Sequence, residues 1–204
     1  MIYQRVPDKF LKEIIAANCC NNVEIVEVFS KVPRHKFVDE ALVNIAYQDN
    51  ALPIGYGQTI SKPSTVAYMT YLLEPCKTDE ILEIGTGSGF QTAILSRLCK
   101  TVYTVERIPQ LYERASRILR SMHFGNIRFK IDNGTAGWEE NAPFDKILIT
   151  AGHTEIPEAL ISQLKNGGRI VLPLNNEIVI AEKEDGTLTL KNTSKECKFV
   201  DFVV

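Results

Sequence analysis

Several things are scarce in this chain of 204 residues. Its five cysteines and three histidines do not gather into clusters. Cys19, Cys20, Cys76, Cys99 and Cys197 form no Cys-x-x-Cys pair and meet no histidine at metal-ligand spacing. That argues against a zinc centre or a disulfide framework and for buried, reduced thiols, so no metal is expected. Neither sign of charge dominates: 23 Lys and Arg stand against 25 Asp and Glu, a net of -2. A balance of this kind gives no reason to expect a nucleic-acid or anionic-membrane partner. No apolar run approaches bilayer-spanning length, and Met1–Asp8 lacks the basic start and apolar stretch of a secretory signal. A cytoplasmic protein is the expectation. Repeats and low-complexity tracts are missing too. What is present is 45% hydrophobic residues, enough for one sizeable core.

The first third reads as two short amphipathic helices, 8–17 and 23–30, a mostly irregular stretch 34–60, and a helix over 64–74 closed by Pro75. The pattern then alternates. Strands are predicted at Glu80–Ile84, Thr101–Val105, Ile127–Ile131, Asp145–Thr150 and Arg169–Leu172. Helices are predicted at Phe90–Cys99, Pro109–Met122 and Pro157–Leu164, the last closed by Gly167-Gly168. Such alternation builds a parallel sheet covered on both faces. After Leu174, Glu177–Glu182, Thr187–Leu190 and Lys198–Val204 read as antiparallel strands around the turn Asp185-Gly186. The expected architecture is one α/β domain, a doubly wound, mostly parallel Rossmann-like sheet. It carries a helical extension and substrate-side loop (1–60), a cofactor-binding core (61–174) and antiparallel C-terminal strands (175–204). Phe124, Phe129, Trp138 and Phe144 are expected in the core.

The central motif is Ile81-Leu-Glu-Ile-Gly-Thr-Gly-Ser-Gly-Phe90. Gly85, Gly87 and Gly89 fall at a strand-to-helix turn, where glycine allows close backbone approach and the helix offers free N–H groups. In the dinucleotide fingerprint the third glycine comes three residues after the second. Here it comes two after, as in the acidic-x-Gly-x-Gly-x-Gly motif of S-adenosylmethionine-dependent methyltransferases, which Glu83 opens. Glu106 ends the next strand, where a carboxylate can accept both hydroxyls of a cofactor ribose.

Val32-Pro-Arg-His-Lys-Phe-Val-Asp-Glu-Ala, Leu52-Pro-Ile-Gly-Tyr-Gly-Gln-Thr-Ile-Ser, the glycine motif, Tyr103-Thr-Val-Glu-Arg-Ile, Ala142-Pro-Phe-Asp and the segment from Pro157 to Pro173 follow in order. Over about residues 30–174 the chain thereby resembles the protein-L-isoaspartate O-methyltransferases. The resemblance implies methyl transfer from S-adenosylmethionine, with S-adenosylhomocysteine as product, to the free α-carboxylate of an isoaspartyl residue. The ester then closes to a succinimide, which reopens in part to aspartate, so damaged proteins are repaired. It implies cofactor contacts from Glu83, Gly85, Thr86, Gly87 and Gly89, and from Glu106, Arg107, Asn133 and Gly134. Thr59, Ile60 and Ser61 are implied on the substrate side, with Ser61 matching the family's active-site serine. The acceptor carboxylate is ionised at neutral pH, so positioning is needed rather than a general base. Lys62 is expected to add attraction from the rim. Ser61 also stands two residues before Pro63, where it could N-cap the following helix instead.

Departures from the family mark the two ends of the site. The third-strand loop reads Asp132-Asn133-Gly134, with Asn133 where the family has an acid near the adenine amino group. The Asn133 carbonyl is expected to accept from that amino group, or Asp132 to substitute, or the Asn-Gly pair to be an ordinary turn. The tail has Asp201 where a proline is usual. His153 is expected to be a loop or rim residue. Two rival readings stay open: a carboxylate O-methyltransferase acting on another peptide or small acid, and a catalytically weak isoaspartyl-binding module. The oligomeric state is not readable.

Overall fold

The computed structural model describes residues 6–196. The strand expected over Lys198–Val204, together with Cys197 and Asp201, lies outside the described residues. The N-terminal helix is wound as a π-helix over Phe10–Ala16 and buries Phe10 and Ile15. Helix α1 (Val23–Lys31) begins at Asn22, whose Oδ1 accepts from Ile25 N at 3.1 Å, and it buries Ile25, Val28 and Phe29. The cap supplies one of the acceptors that the first helical turn needs.

The stretch 34–60 is more ordered than expected. Two 3-10 turns, Arg34–Phe37 and Glu40–Ile45, precede an antiparallel hairpin of β1 (Leu52–Gly55) and β2 (Gln58–Ile60). Leu52 and Ile54 face inward while Pro53 faces out, a period of two too short to stand out in sequence. At the hairpin tip Gly55, Tyr56 and Gly57 all take positive φ, at 92°, 55° and 69°. The segment leading into the hairpin hangs on Arg34, which is fully buried. Its Nε donates to Ala46 O at 2.9 Å, its Nη2 to Asn50 O at 3.3 Å, and its guanidinium lies 5.1 Å from the centre of the Phe90 ring.

Helix α2 (Pro63–Leu73) follows with Pro63 in its first turn, where a missing N–H is harmless. Then come β3 (Glu80–Ile84), α3 (Phe90–Ser96), β4 (Thr101–Glu106), α4 (Pro109–Ser121), β5 (Ile127–Ile131), β6 (Phe144–Ile149) and α5 (Glu158–Ser162). The chain continues in β7 (Leu164–Leu174), β8 (Glu177–Glu184) and β9 (Thr187–Glu196). The sheet order is β5-β4-β3-β6-β7-β8-β9; pairings from β5 to β7 are parallel, and β7-β8 and β8-β9 are antiparallel. Two expectations change. Helix α5 is shorter than predicted, and β7 starts at Leu164, ahead of Gly167-Gly168, with a register shift against β6 between Leu164 and Arg169.

Apolar residues on alternate sides of the strands serve two cores. Ile81, Val102 and Leu148 pack with α2, α3 and the N-terminal helices, while Leu82, Val105, Ile147 and Ile149 pack with Phe144, Leu160 and Leu164. Each buried aliphatic or aromatic side chain contributes about 1.5–3 kcal/mol. The N-terminal segment thus shares a core with the sheet, which fixes the hairpin over the carboxyl ends of the strands. Strand β3 lies between β4 and β6, so the chain turns opposite ways on its two sides and leaves a crevice at its carboxyl end, where ligands bind in open α/β sheets.

Candidate active site

That crevice is an open cleft of about 900 Å³, a figure that takes in solvent at its mouth. Its walls come from Gln58–Ser61 of the hairpin strand and the turn after it, Thr65, Val66 and Met69 of α2, and the glycine turn from Ile84 to Ser88. Phe90 and Gln91 of α3, the end of β4 with Glu106 and Arg107, Leu111, Asn133, and Thr150 and Ala151 after β6 complete it. Segments far apart in sequence, 58–61, 84–88, 90–91, 105–107 and 133, meet there.

The glycine turn is built for close approach. Gly85, Gly87 and Gly89 have φ of 97°, 53° and 85°, in the left-handed region that side chains resist. A Cβ on Gly85 would overlap Thr150 Oγ1. That hydroxyl lies 2.8 Å from Gly85 O and 3.0 Å from Ile84 O and donates to them, locking the turn to β6. Thr150 was not picked out from sequence; its place at the end of a predicted strand neighbouring β3 was the available signal. Gln91, also missed, lines the cleft and donates from Nε2 to Thr70 Oγ1 at 3.0 Å.

Glu106 is 5% exposed yet reaches the cleft. Oε2 accepts from Gly87 N at 2.8 Å and Oε1 from Ile108 N at 2.9 Å. The carboxylate thus braces the glycine turn, and each oxygen keeps a further lone pair for a diol. Thr86, Gly87 and Arg107 line the same wall.

Three expected cofactor residues do not reach the cleft wall. Glu83 is fully buried beneath the turn. Its Oε2 accepts from Thr92 Oγ1 at 2.6 Å and Thr104 Oγ1 at 2.7 Å, and Thr104 is linked at 2.6 Å to Thr86 Oγ1. Burial pushes its pKa well above the carboxylate range, against the pull of the two hydroxyls. Glu83 therefore supports the turn from behind. Gly89 faces α4, where a Cβ would crowd Leu119 and Ala115. Gly134 is buried at a turn, with φ of 85°.

At the other end, Ser61 lines the cleft and its hydroxyl has no hydrogen-bond partner among the described residues. The capping alternative is excluded by geometry. The position before α2 is Lys62, without a side-chain cap, and Ser64 N donates instead to Asp49 Oδ1 at 2.9 Å. Thr59 is exposed, Ile60 is 3% exposed, and Lys62 stands in solvent beside them. His153 is half-buried, tied through Nδ1 to Ala151 O at 2.9 Å, and does not line the cleft.

Asn133 differs from expectation. Its Oδ1 is occupied, accepting from Thr135 N at 3.0 Å and from Thr135 Oγ1 at 2.7 Å. Asp132 does not substitute either. Its carboxylate pairs with Lys130 at 3.0 Å and accepts from Asn133 N at 2.8 Å, contacts that hold it below its usual pKa.

A family model of the protein-L-isoaspartate(D-aspartate) O-methyltransferases matches residues 5–204. A relative from Trichlorobacter lovleyi, a protein-L-isoaspartate O-methyltransferase, is 46% identical over 200 residues, covering 96% of this chain and 92% of its own. A solved protein-L-isoaspartate O-methyltransferase superposes with a TM-score of 0.86 at 27% identity, over 95% of this chain and 65% of that one. A Plasmodium falciparum structure assigned to the same enzymes, in complex with S-adenosyl-L-homocysteine, has the same fold, with a TM-score of 0.82 at 20% identity over 96% of this chain and 97% of its own. The glycine turn braced by a carboxylate and a hydroxyl left open opposite it are thus found in a chain that belongs to the protein-L-isoaspartate(D-aspartate) O-methyltransferase family, S-adenosylmethionine-dependent enzymes that methylate isoaspartyl residues of proteins.

Proposed function

We propose that in this chain Glu106 holds the cofactor ribose, the 85–88 turn admits its close approach, and Ser61 with the backbone of Thr59 and Ile60 positions the isoaspartyl α-carboxylate. The observation that carries this reading is Ser61, which lines the cleft while Asp49 serves the start of α2 in its place. S-adenosylmethionine, when bound, supplies a methyl group already activated on a sulfonium. The chain's own residues then need no general base, since the acceptor carboxylate is ionised at neutral pH. They align it and shed part of its water. A neutral hydroxyl and backbone amides do so without the tight ground-state clamp of a charged partner, which would blunt the nucleophile. Lys62, exposed beside Ser61, draws anionic segments toward the rim.

The substrate this fits is an extended, flexible segment read through its backbone, because the hairpin offers main-chain groups rather than a charged pocket at Thr59–Ser61. A cytoplasmic setting fits Cys19, Cys20, Cys76 and Cys99, all free thiols.

Transfer of labelled methyl from S-adenosylmethionine to a synthetic isoaspartyl peptide, with its aspartyl twin as control, tests this. Selective, base-labile labelling of the isoaspartyl peptide is expected. Ser61→Ala should lower kcat/KM by about 10–100-fold, the range for one positioning hydrogen bond near the reacting atoms. Equal rates in the variant would remove Ser61 from the mechanism; labelling of the aspartyl twin would point to a broader carboxylate methyltransferase.

A further inference from the structure

Asn133 stands two residues beyond Ile131, the partner of Glu106 in the β4–β5 ladder. Strand β5 is the outer neighbour of β4, whereas Thr150 and Ala151 follow β6 on the other side of β3. With a ribose held at Glu106, one end of the cleft is therefore Asn133 and the other is the Thr150 side. Ser61, on the hairpin side, takes the reacting end, and the purine falls to Asn133.

The polar groups of Asn133 have already been divided. An amide oxygen has two lone pairs, and both are taken by Thr135 N and Thr135 Oγ1. The amide cannot be turned over, because Thr135 N–H is only a donor and the amide nitrogen would set two donors face to face. The main-chain N–H of Asn133 is given to Asp132 Oδ1, and that carboxylate is also paired with Lys130. What remains is Nδ2, a pure donor with no partner among the described residues, on a residue that lines the cleft.

We propose that Asn133 reads the purine as a donor only, so that the site accepts a 6-oxopurine form of the cofactor as readily as the 6-aminopurine form. On the adenine edge the acceptor is N1 and the exocyclic amino group donates. On hypoxanthine the acceptor is O6 and N1–H donates. A lone donor makes one hydrogen bond with either base and leaves the N–H groups of that edge to water in each case. A carboxylate at the same place would accept from the adenine amino group and repel O6. The proposal rests on the cofactor reading of the cleft, and it makes Asn133 the residue that sets base specificity.

The test is calorimetric titration of the full chain with S-adenosylhomocysteine and with S-inosylhomocysteine. The wild type is expected to bind both within about threefold. Asn133→Asp should raise the preference for the adenosyl ligand by at least about tenfold, the effect of a charged acceptor that pairs with one base and opposes the other. Thr135→Val, which frees one lone pair on Oδ1 without adding charge, should move the ratio the same way by less, and it serves as the test should the aspartate variant not fold. A wild-type preference above threefold, or unchanged ratios in the variants, overturns the proposal while S-adenosylhomocysteine binding stands. Failure of the wild type to bind S-adenosylhomocysteine instead overturns the cofactor reading beneath it.

Discussion

Replacing Glu83 with glutamine should make the protein more stable, and by an amount that depends on pH. The side chain is fully buried, with Oε2 accepting from Thr92 and Thr104 while Oε1 has no partner among the described residues. Loss of water raises its pKa from 4.5 to about 7, with the neighbouring Glu106 charge pushing the same way. In the unfolded chain the group titrates at its ordinary value. Between those two pH values the folded protein holds a proton that the unfolded chain has released, so stability falls as pH rises. The slope is about 1.4 kcal/mol per pH unit, and the loss levels off above the folded value at about 3 kcal/mol. Glutamine does not titrate, and its carbonyl can accept from both threonines in the same volume. The stability of Glu83→Gln minus that of wild type should therefore grow by about 3 kcal/mol between about pH 4.5 and about pH 8. Urea unfolding at a series of pH values, followed by Trp138 fluorescence and circular dichroism, measures it, and taking the difference cancels the other titrating groups. A flat difference, or wild type gaining on the variant as pH rises, would falsify the reading of Glu83 as an acid held against its burial.

Asp49→Ala should destabilise the protein by about 1 kcal/mol, the worth of a helix cap, because Asp49 serves Ser64 N at the start of α2. Ser61→Ala should leave the melting curve within about 0.5 kcal/mol of wild type, since its hydroxyl has no partner among the described residues. Equal destabilisation by both would return Ser61 to a capping role. Gly85→Ala combines a φ of 97° with an overlap on Thr150 Oγ1. It should cost about 3 kcal/mol in thermal unfolding and abolish S-adenosylhomocysteine binding in calorimetry; normal binding with an unchanged melt would show that the turn does not need glycine there.

The strand–helix alternation from Glu80 to Leu172 was legible because apolar runs and helix punctuation recur at short range. The glycine motif was legible for the same reason, each glycine needing a backbone shape that few residues supply. Other features depend on partners distant in sequence. The helix cap comes from Asp49 rather than from the adjacent Ser61, and no spacing rule points across fifteen residues. The hairpin at 52–60 was missed because its strands are short and its order comes from outside, through Arg34 and through Arg114, which reaches Ile54 O at 3.5 Å and Asp39 at 2.7 Å. Glu83 carries the right residue type for a cofactor contact, but only the third dimension shows its carboxylate turned to Thr92 and Thr104. Gly167-Gly168 looked like a helix stop, yet β7 already pairs with β6 at Leu164 and resumes at Arg169, so the glycines fall in an irregularity of the strand.

The turn at Asn133-Gly134 has a consequence for handling the protein. An asparagine followed by glycine deamidates readily, because the next residue's nitrogen can approach the side-chain amide unhindered. Deamidation passes through a succinimide that opens to isoaspartate as well as aspartate, so it would place a carboxylate at the cleft wall, slowly and in the storage tube, in part on a backbone lengthened by one methylene. Preparations of different age would then be mixtures of asparaginyl, aspartyl and isoaspartyl chains with different purine preferences. Fresh protein, checked by intact mass and peptide mapping at this one peptide, is therefore a condition for any affinity measured on it.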